Sequence, residues 1–441
     1  MKTKFILFVA LVTSLATFSQ KKWTLKECVD YALKNNITVK QNRLNLATAD
    51  ANIKTAKGNF LPVVSGSNNN SLGIGPVINQ TTNTRIGSTT SLSGNIGVGA
   101  TVNIFNGFSN LNTRKQALLE KEGVALDVAS IENDVALNVV NTYLNVLFAK
   151  ENLAVAETQS EISKKQIERA RIQFEEGAVP KGDLLNIEST AANDYQNVVV
   201  QENTLNLALL QLAQLLQISS EGFDIASINV ENPTETLLYS SSKMVYDRAI
   251  ENRPEIERAK LNVESSDLSI AIAKSSYLPT VSGSYSIGSS YFYDLQSSDN
   301  VGFFNQFDNL LNQGLGLSVN IPIFNGFRTD ASVERSIINK EMANLTLENQ
   351  KLQLQQTIEQ AYLDAKAAAK TFEVAQISLD AQKEAFKNAQ VSYDYGTMTQ
   401  FDFDQVRNRL VNAEGTLIRA KYDYIFKTKV LKFYYGDNVL D

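Results

Sequence analysis

Leu92-Ser93-Gly94-Asn95-Ile96-Gly97-Val98-Gly99-Ala100-Thr101-Val102-Asn103-Ile104 places apolar side chains at the even positions Leu92, Ile96, Val98, Ala100, Val102 and Ile104. The odd positions Ser93, Asn95, Gly97, Gly99, Thr101 and Asn103 are polar or small. A period of two assigns the two sets to opposite faces of a strand. The tract has a copy, in which Leu315, Leu317, Val319, Ile321 and Ile323 oppose Gly314, Gly316, Ser318 and Asn320. Each stretch has the roughly 9 to 11 residues that a tilted strand needs to cross a bilayer. A half-buried strand of a soluble protein alternates as well. The tracts carry no charge, and Tyr285, Tyr291, Phe292 and Tyr293 stand near a strand end, which favours a membrane wall.

The copy is part of a duplication. Phe60-Leu61-Pro62-Val63-Val64-Ser65-Gly66-Ser67 returns as Tyr277-Leu278-Pro279-Thr280-Val281-Ser282-Gly283-Ser284, an offset of 217, and Ile104-Phe105-Asn106-Gly107-Phe108 returns as Ile323-Phe324-Asn325-Gly326-Phe327, an offset of 219. The difference of two falls in Ser/Asn/Thr/Gly-rich stretches between the matched tracts, where loops tolerate insertion. Tyr143-Leu144 with Tyr362-Leu363, Gly177 with Gly396 and Asp183 with Asp402 keep the offset of 219. The expected organisation is a signal peptide over 1–19, a first repeat over 20–217, a linker over 218–243, a second repeat over 244–433 and a closing segment over 434–441.

Composition excludes several functions. Lys2 and Lys4 precede an apolar run from Phe5 through Leu15, and small residues stand ahead of Gln20, the pattern of an exported chain's leader. Removing the two lysines takes the net charge from −6 to −8, and with no polybasic cluster nucleic acid is not an expected partner. No later run of 18 or more apolar residues occurs, so any membrane crossing is by strands. There is no histidine, which excludes Ser-His-Asp and Cys-His nucleophile pairs and His-bearing metal sites. Neither a phosphate-binding GxxxxGK[ST] nor a strand-placed GxGxxG appears. No cofactor and no metal is expected, and the chain does not read as an enzyme. Cys28, the only cysteine, reads as a small apolar helix residue.

Each repeat opens with a helical segment, Leu25 to Asn59 and Val245 to Ser276, which Leu-Pro terminates. Between the two strands of each repeat, Gly73 to Ser91 and Asp294 to Gln313 read as surface loops. After each Phe-Asn-Gly-Phe turn comes a proline-free helix, Ser109 to about Glu175 and Arg328 to about Asp394, on the order of 100 Å at 1.5 Å per residue. Ile131, Val135, Val139, Tyr143 and Leu147 mark one coiled-coil seam, and Leu352, Ile358, Tyr362, Leu363 and Phe372 its counterpart. The run Ala361, Ala365, Ala367, Ala368 and Ala369 predicts close packing on more than one side. Gly-containing breaks at Gly177 to Gly182 and Gly396 to Gln400 lead into returning helices from Asp183 to about Gln217 and Asp402 to about Phe433. The linker is expected to form a small mixed collar beside the long helices.

Four spanning strands leave two open edges, and an unpaired backbone edge in hydrocarbon costs several kcal/mol per group. The chain must therefore pool strands with copies of itself, and a water-filled bore, suited by the small face with Gly97, Gly99, Gly314 and Gly316, calls for three or more chains.

The leader, the duplicated helix-strand-loop-strand-long helix-turn-helix unit, the Leu-Pro and the Ile-Phe-Asn-Gly-Phe together resemble the TolC-type outer-membrane efflux proteins over almost the whole mature chain. The resemblance implies a mixed α+β membrane protein: a homotrimeric α/β barrel with four membrane strands per chain, twelve in all, in outer-membrane lipid, and a long periplasmic α-helical coiled-coil tunnel. It implies the exit duct of a tripartite efflux pump or type I secretion system, docked to a periplasmic adaptor and driven by an inner-membrane transporter. The tips that engage the adaptor correspond to Glu176-Gly177-Ala178 and Tyr395-Gly396-Thr397. Asp402 matches a ring aspartate of the tunnel constriction, Asp183 a latch aspartate and Tyr393 its tyrosine partner. The second ring carboxylate falls on Gln405, with Asp404 beside it, and the latch arginine of some members falls on Met398.

The residues themselves leave alternatives open. Both aspartates follow Gly-bearing turns where a helix begins, so each fits helix capping, and Asp402 with Gln405 fits a capping box. The tip glycines also fit helix termination at positive φ. At the level of the whole chain, a secreted coiled-coil scaffold or adhesin with a soluble β-region competes with the duct.

Overall fold

The computed structural model describes residues 22–79, 83–226 and 239–437. The expected signal peptide, residues 227–238 of the linker and the last four residues lie outside the described residues. In chain order the elements are β1 (Lys22–Trp23), α1 (Leu25–Asn35), α2 (Ile37–Gly58), β2 (Val63–Asn79), β3 (Thr84–Asn106), α3 (Ser109–Glu175), α4 (Lys181–Leu216), β4 (Asp224–Ile225), α5 (Ser242–Asn252), α6 (Pro254–Ser275), β5 (Thr280–Asp294), α7 (Phe303–Asn309), β6 (Asn312–Asn320), α8 (Arg328–Asp394) and α9 (Gln400–Tyr435). The long helices α3 and α8 each have 67 residues and the returning helices α4 and α9 each have 36.

Four expectations are corrected. The opening helical segment of each repeat is two helices. Asn36 leaves the helical region, and its Oδ1 accepts from the Thr38 and Val39 amides to start α2. In the second repeat Arg253 is extended before Pro254, which disfavours helical geometry in the residue ahead of it and itself suits a first helical turn. The first expected loop is largely strand: β2 pairs with β3 from Val63↔Thr101 out to Asn79↔Thr84, with a bulge at Pro76/Val77. The second expected loop contains α7. Finally, β6 ends at Asn320, so Ile321 and Ile323 lie beyond it, because Pro322 has no N–H for the ladder.

The chain divides into two compact units. One comprises 22–43, 126–257 and 349–437 of the described residues. Its core joins Cys28, Val29 and Ala32 of α1 to Val139, Tyr143 and Leu147 of α3 and Leu212, Ala213 and Leu216 of α4. Tyr143 donates its hydroxyl to Ala226 O at 2.8 Å beside the parallel β1–β4 pair, an edge that also holds the Lys150–Asp224 ion pair at 2.5 Å. In the second repeat Ala368, Ala369, Phe372 and Ala375 of α8 pack on Ala420 and Tyr424 of α9. Ile358 and Ala365 are buried, whereas Leu352, Leu363 and Ala367 are exposed and stand outside that seam.

The other unit comprises Leu44–Ala125 and Arg258–Glu348, apart from 80–82. It contains an all-antiparallel sheet in the order β2-β3-β5-β6. Its helical parts are tied by Lys121–Asp50 and Lys340–Asp267 ion pairs, each at 2.7 Å, and by Arg258–Glu120 at 2.9 Å. The Phe-Asn-Gly-Phe turns are the same in both repeats: Gly107 and Phe108 have φ of 64° and 67°, Gly326 and Phe327 have 65° and 61°. A Cβ at Gly107 would stand 2.5 Å from Ser275 O, so only glycine fits there. Among the described residues no helix is long and apolar enough to cross a membrane.

Candidate functional site

The register across the sheet defines two faces. On one, Ser67, Gly97, Gly288 and Asn312 form a row, and Ser65, Gly99, Ser286 and Gly314 form the next. On the other, Val64, Ala100, Tyr285 and Leu315 form a row beside Val98, Ile287 and Leu317. Gly97, Gly99, Gly314 and Gly316 share the polar face, as the alternation predicts.

Curvature distinguishes the faces independently. Gly97 and Gly288 are direct cross-strand partners, and a Cβ on Gly97 would stand 3.1 Å from Ile287 O while one on Gly288 would stand 2.9 Å from Ile96 O. Glycine in a strand marks such a close approach of two backbones, so a side chain at either position would push β3 and β5 apart. A concave cleft of about 360 Å³ lies on that face, lined among others by Ser65, Ser67, Gly97, Gly99 and Ser286. The apolar face is convex and uncovered, with Leu315 89% exposed and Ile74 84% exposed. On it Tyr291 lies over Gly94 and donates to Asn70 Oδ1, filling the space a side chain on Gly94 would need.

A second cluster surrounds the turns between the long and returning helices. Gly177 and Gly396 have φ of 73° and 72°. Each closes its helix in the same way: Gly177 N donates to Phe174 O at 2.9 Å and Ala178 N to Gln173 O at 2.8 Å, while Gly396 N donates to Tyr393 O at 3.0 Å and Thr397 N to Ser392 O at 2.9 Å. These are Schellman closures, so helix termination at positive φ accounts for both glycines. Glu176, Ala178, Tyr395 and Thr397 are exposed around them.

The returning helices begin earlier than the sequence suggests, and the caps move with them. The N-cap of α9 is Thr399, whose Oγ1 accepts from Asp402 N at 3.2 Å and donates to Asp402 Oδ2 at 2.7 Å. Asp402 is therefore the third-position acid of the first turn, and the expected Asp402–Gln405 capping box does not form. The N-cap of α4 is Pro180, with no side-chain cap, and Asp183 again stands in the first turn. There its charge suits the positive end of the helix dipole.

Asp183, Tyr393 and Asp404 line one cleft of about 940 Å³ together with Arg169, Asp394 and Gln400. Arg169 pairs with Asp394 at 2.6 Å, and Gln400 Nε2 donates to Asp404 Oδ2 at 3.0 Å. Tyr393 stacks on the buried Phe403 at 4.8 Å and makes no hydrogen bond to Asp183. Burial first, then the negative charge of Asp404 and also of Asp183 and Asp394, raise the Tyr393 hydroxyl against the opposing pull of Arg169. It stays protonated and available as a donor. Asp402 and Gln405 are exposed and do not line the cleft.

Sequence reasoning missed the most buried charge in this region. Arg407 of α9 is 3% exposed, and its Nη2 donates to Ser163 Oγ of α3 at 2.7 Å and to Asp194 of α4. Ser163 also donates to Asp194, so three helices meet at one carboxylate. The available signal was an arginine at a stripe position, between the buried Phe403 and Leu410 of α9.

A sheet with a convex apolar face, a concave polar face and, among the described residues, two open edges, joined in sequence to helices of 67 residues, is the architecture of a channel-type membrane protein. The pattern of the outer membrane efflux protein family matches it twice, over residues 28–216 and 245–436, and the chain belongs to that family. It is 22% identical to the outer membrane efflux protein BepC of Brucella suis over 96% of this chain and 86% of BepC. It is 23% identical to nodulation protein T of Rhizobium leguminosarum over 90% and 78% of the two chains. Its fold matches the outer membrane channel CmeC of Campylobacter jejuni with a TM-score of 0.77 at 21% identity, over 93% of this chain and 85% of CmeC. Its location is the outer membrane, and its role that of an exit channel.

Proposed function

We propose that three copies close their sheets into one twelve-stranded barrel and pool their helices into a periplasmic tunnel. The assembly is the exit duct of a tripartite efflux pump or a type I secretion system. The observation that carries this reading is the pair of free edges: among the described residues β2 and β6 each have one partner, and the convex face between them is apolar and uncovered. In lipid an open edge is untenable, and pairing β6 of one copy with β2 of the next satisfies both edges at once. Eight strands from two copies leave little room for a lumen, whereas twelve leave an aqueous bore.

The tip turns Glu176-Gly177-Ala178 and Tyr395-Gly396-Thr397 are the docking points for a periplasmic adaptor, which couples the duct to an inner-membrane transporter. Rigid Schellman closures presenting exposed side chains support that role. Asp402, Asp404, Gln405, Asp183 and Tyr393 form the constriction. Exposed in the first turn of α9, Asp402 is free to face a shared axis, where three carboxylates attract cations and repel anions.

The test is extraction and conductance. The mature protein comes out of the outer membrane only with detergent, runs as a trimer and forms cation-preferring pores in planar bilayers. Asp402→Ala lowers the cation preference and leaves the trimer intact. Monomeric material in plain buffer that never conducts would overturn the duct, and unchanged selectivity in Asp402→Ala would reduce Asp402 to a helix-start residue.

A further inference from the structure

The four strands carry only two charged residues, Arg85 and Asp294, and both sit in the last rows of the sheet. Asp294 is buried and engaged by the Thr89 hydroxyl and the Gln296 amide. A lipid-facing side chain must be uncharged, but the concave face is under no such restriction, because charge facing water there costs little. Even so, from the row of Asn103, Ser282 and Ser318, through that of Val63, Thr101, Ser284 and Gly316, out to that of Asn69, Asn95 and Ser290, the concave positions are Ser, Thr, Asn and Gly apart from Val63, and only beyond the last of these rows do the buried Phe292 and Asp294 take concave places. Five of these positions, Gly97, Gly99, Gly288, Gly314 and Gly316, carry no side chain beyond hydrogen, so little side-chain volume intrudes there.

We infer that along these rows the barrel bore of this protein is a charge-neutral conduit of hydroxyls, amides and bare backbone, which passes anionic, cationic and neutral polar cargo alike and leaves any selection by charge to residues beyond them. The inference rests on the reading that the sheet closes into a barrel with its concave face inward. Its physical basis is that a ring of fixed charge in a low-dielectric wall raises the local concentration of one ion sign, whereas neutral dipoles that can present either a donor or an acceptor do not. Ser, Thr and Asn side chains solvate both signs.

Charged thiol reagents test this directly. The wild-type chain supplies a quiet background, because Cys28 is its only cysteine, is fully buried and has its thiol pushed up to about 12 by burial and by Glu27. Ser67→Cys and Ser286→Cys place exposed thiols on the concave face, and Leu315→Cys places one on the convex face. In the reconstituted full-length assembly, conductance change reports modification by a cationic and an anionic methanethiosulfonate. The ratio of the two rates at Ser67→Cys and Ser286→Cys, normalised to the same ratio for free cysteine, is expected to lie within about 3-fold of one, where a charged lining gives 10-fold or more. Adding Ser284→Glu to Ser286→Cys is expected to drive the ratio past about 10-fold towards the cation, which establishes that the assay registers a charge in the bore. A normalised ratio at or beyond that level at both unaltered positions would overturn the inference while leaving the barrel standing. If neither reagent reaches Ser67→Cys or Ser286→Cys, or Leu315→Cys reacts as they do, the inward assignment of the concave face is wrong and the duct reading fails first.

Discussion

Cutting the Arg407–Asp194 contact is expected to have unequal consequences for its two partners. Arg407 is 3% exposed and Asp194 25% exposed. When Asp194→Ala removes the carboxylate, the guanidinium keeps only Ser163 and has no route to water, and its Nε already has no hydrogen-bond partner. Breaking a buried pair from that side costs about 3–5 kcal/mol. When Arg407→Met removes the cation, Asp194 still accepts from Ser163 and is open enough to be hydrated, and the unpartnered Nε disappears, so the cost is about 1–2 kcal/mol. An unfolding entropy of about 2 cal/mol/K per residue, over a chain of 441 residues, makes 1 kcal/mol worth about 1 °C. Thermal melts followed by circular dichroism in detergent should therefore place Asp194→Ala about 3–5 °C below wild type and Arg407→Met about 1–2 °C below, with the pair Asp194→Ala/Arg407→Met falling by well under the sum of the two. A double variant whose loss equals the sum of the single losses, with coupling under about 0.5 kcal/mol, would refute the argument.

Two further outcomes follow from local geometry. Gly177→Ala and Gly396→Ala place a Cβ in open space but force it to φ of 73° and 72°, so each costs about 1–2 kcal/mol through the backbone alone. Hydrogen exchange at the Ala178 and Thr397 amides should accelerate, and unaltered protection would show that the turns are not held at that φ. At the β1–β4 pair, burial tends to raise the Asp224 carboxyl, but hydrogen bonds from Lys150 and from Ile225 N, with the charges of Lys150 and Lys22, hold it below the ordinary carboxylate range. A depressed folded value means that the stabilisation is present above the unfolded pKa of about 3.9 and is lost as pH falls through the folded value. Asp224→Asn should flatten the fall in melting temperature on acidification, and an unchanged slope would count against it.

The parts of the fold legible in sequence are those with a long period or a chemically unambiguous stop. Sixty-seven-residue helices without proline, bounded by Phe-Asn-Gly-Phe and a positive-φ glycine, start at the expected Ser109 and Arg328 and end where the sequence placed their ends approximately. Where one side-chain hydrogen bond decides, the sequence was mute: Asn36 breaks the opening helix only because its amide oxygen faces two amides ahead of it. The cap of α9 went to Thr399 rather than Asp402 because the helix begins at Gln400. Strand was mistaken for loop over Gly73–Asn79 and Thr84–Ser91 because Ser, Asn and Thr serve an aqueous strand face as well as a turn. Arg407 stayed hidden because its meaning depends on Ser163 and Asp194, which are 244 and 213 positions away.

The two repeats also differ in a way that matters for closing a barrel. Past Gly288, β5 has no strand on its β6 side, yet the edge is not bare: Gln306 of α7, 1% exposed, accepts from Phe292 N at 2.7 Å and donates to Phe292 O at 2.9 Å and Val301 O at 2.6 Å. A side-chain amide carries the donor and acceptor of a peptide group, so one glutamine replaces the strand residue that the shorter β6 does not supply. The first repeat needs no such device, since β2 accompanies β3 for seventeen residues. The edge available to another copy is therefore unequal, nine residues on β6 against seventeen on β2. Nine residues at about 3.4 Å span roughly 30 Å, and at a tilt near 40° this covers a height close to the 25 Å apolar band of an outer-membrane barrel. β6 is thus as long as the hydrocarbon requires and no longer, and the surplus of β2 belongs in water, where Pro76 and the adjacent bulge keep its free edge from recruiting another strand.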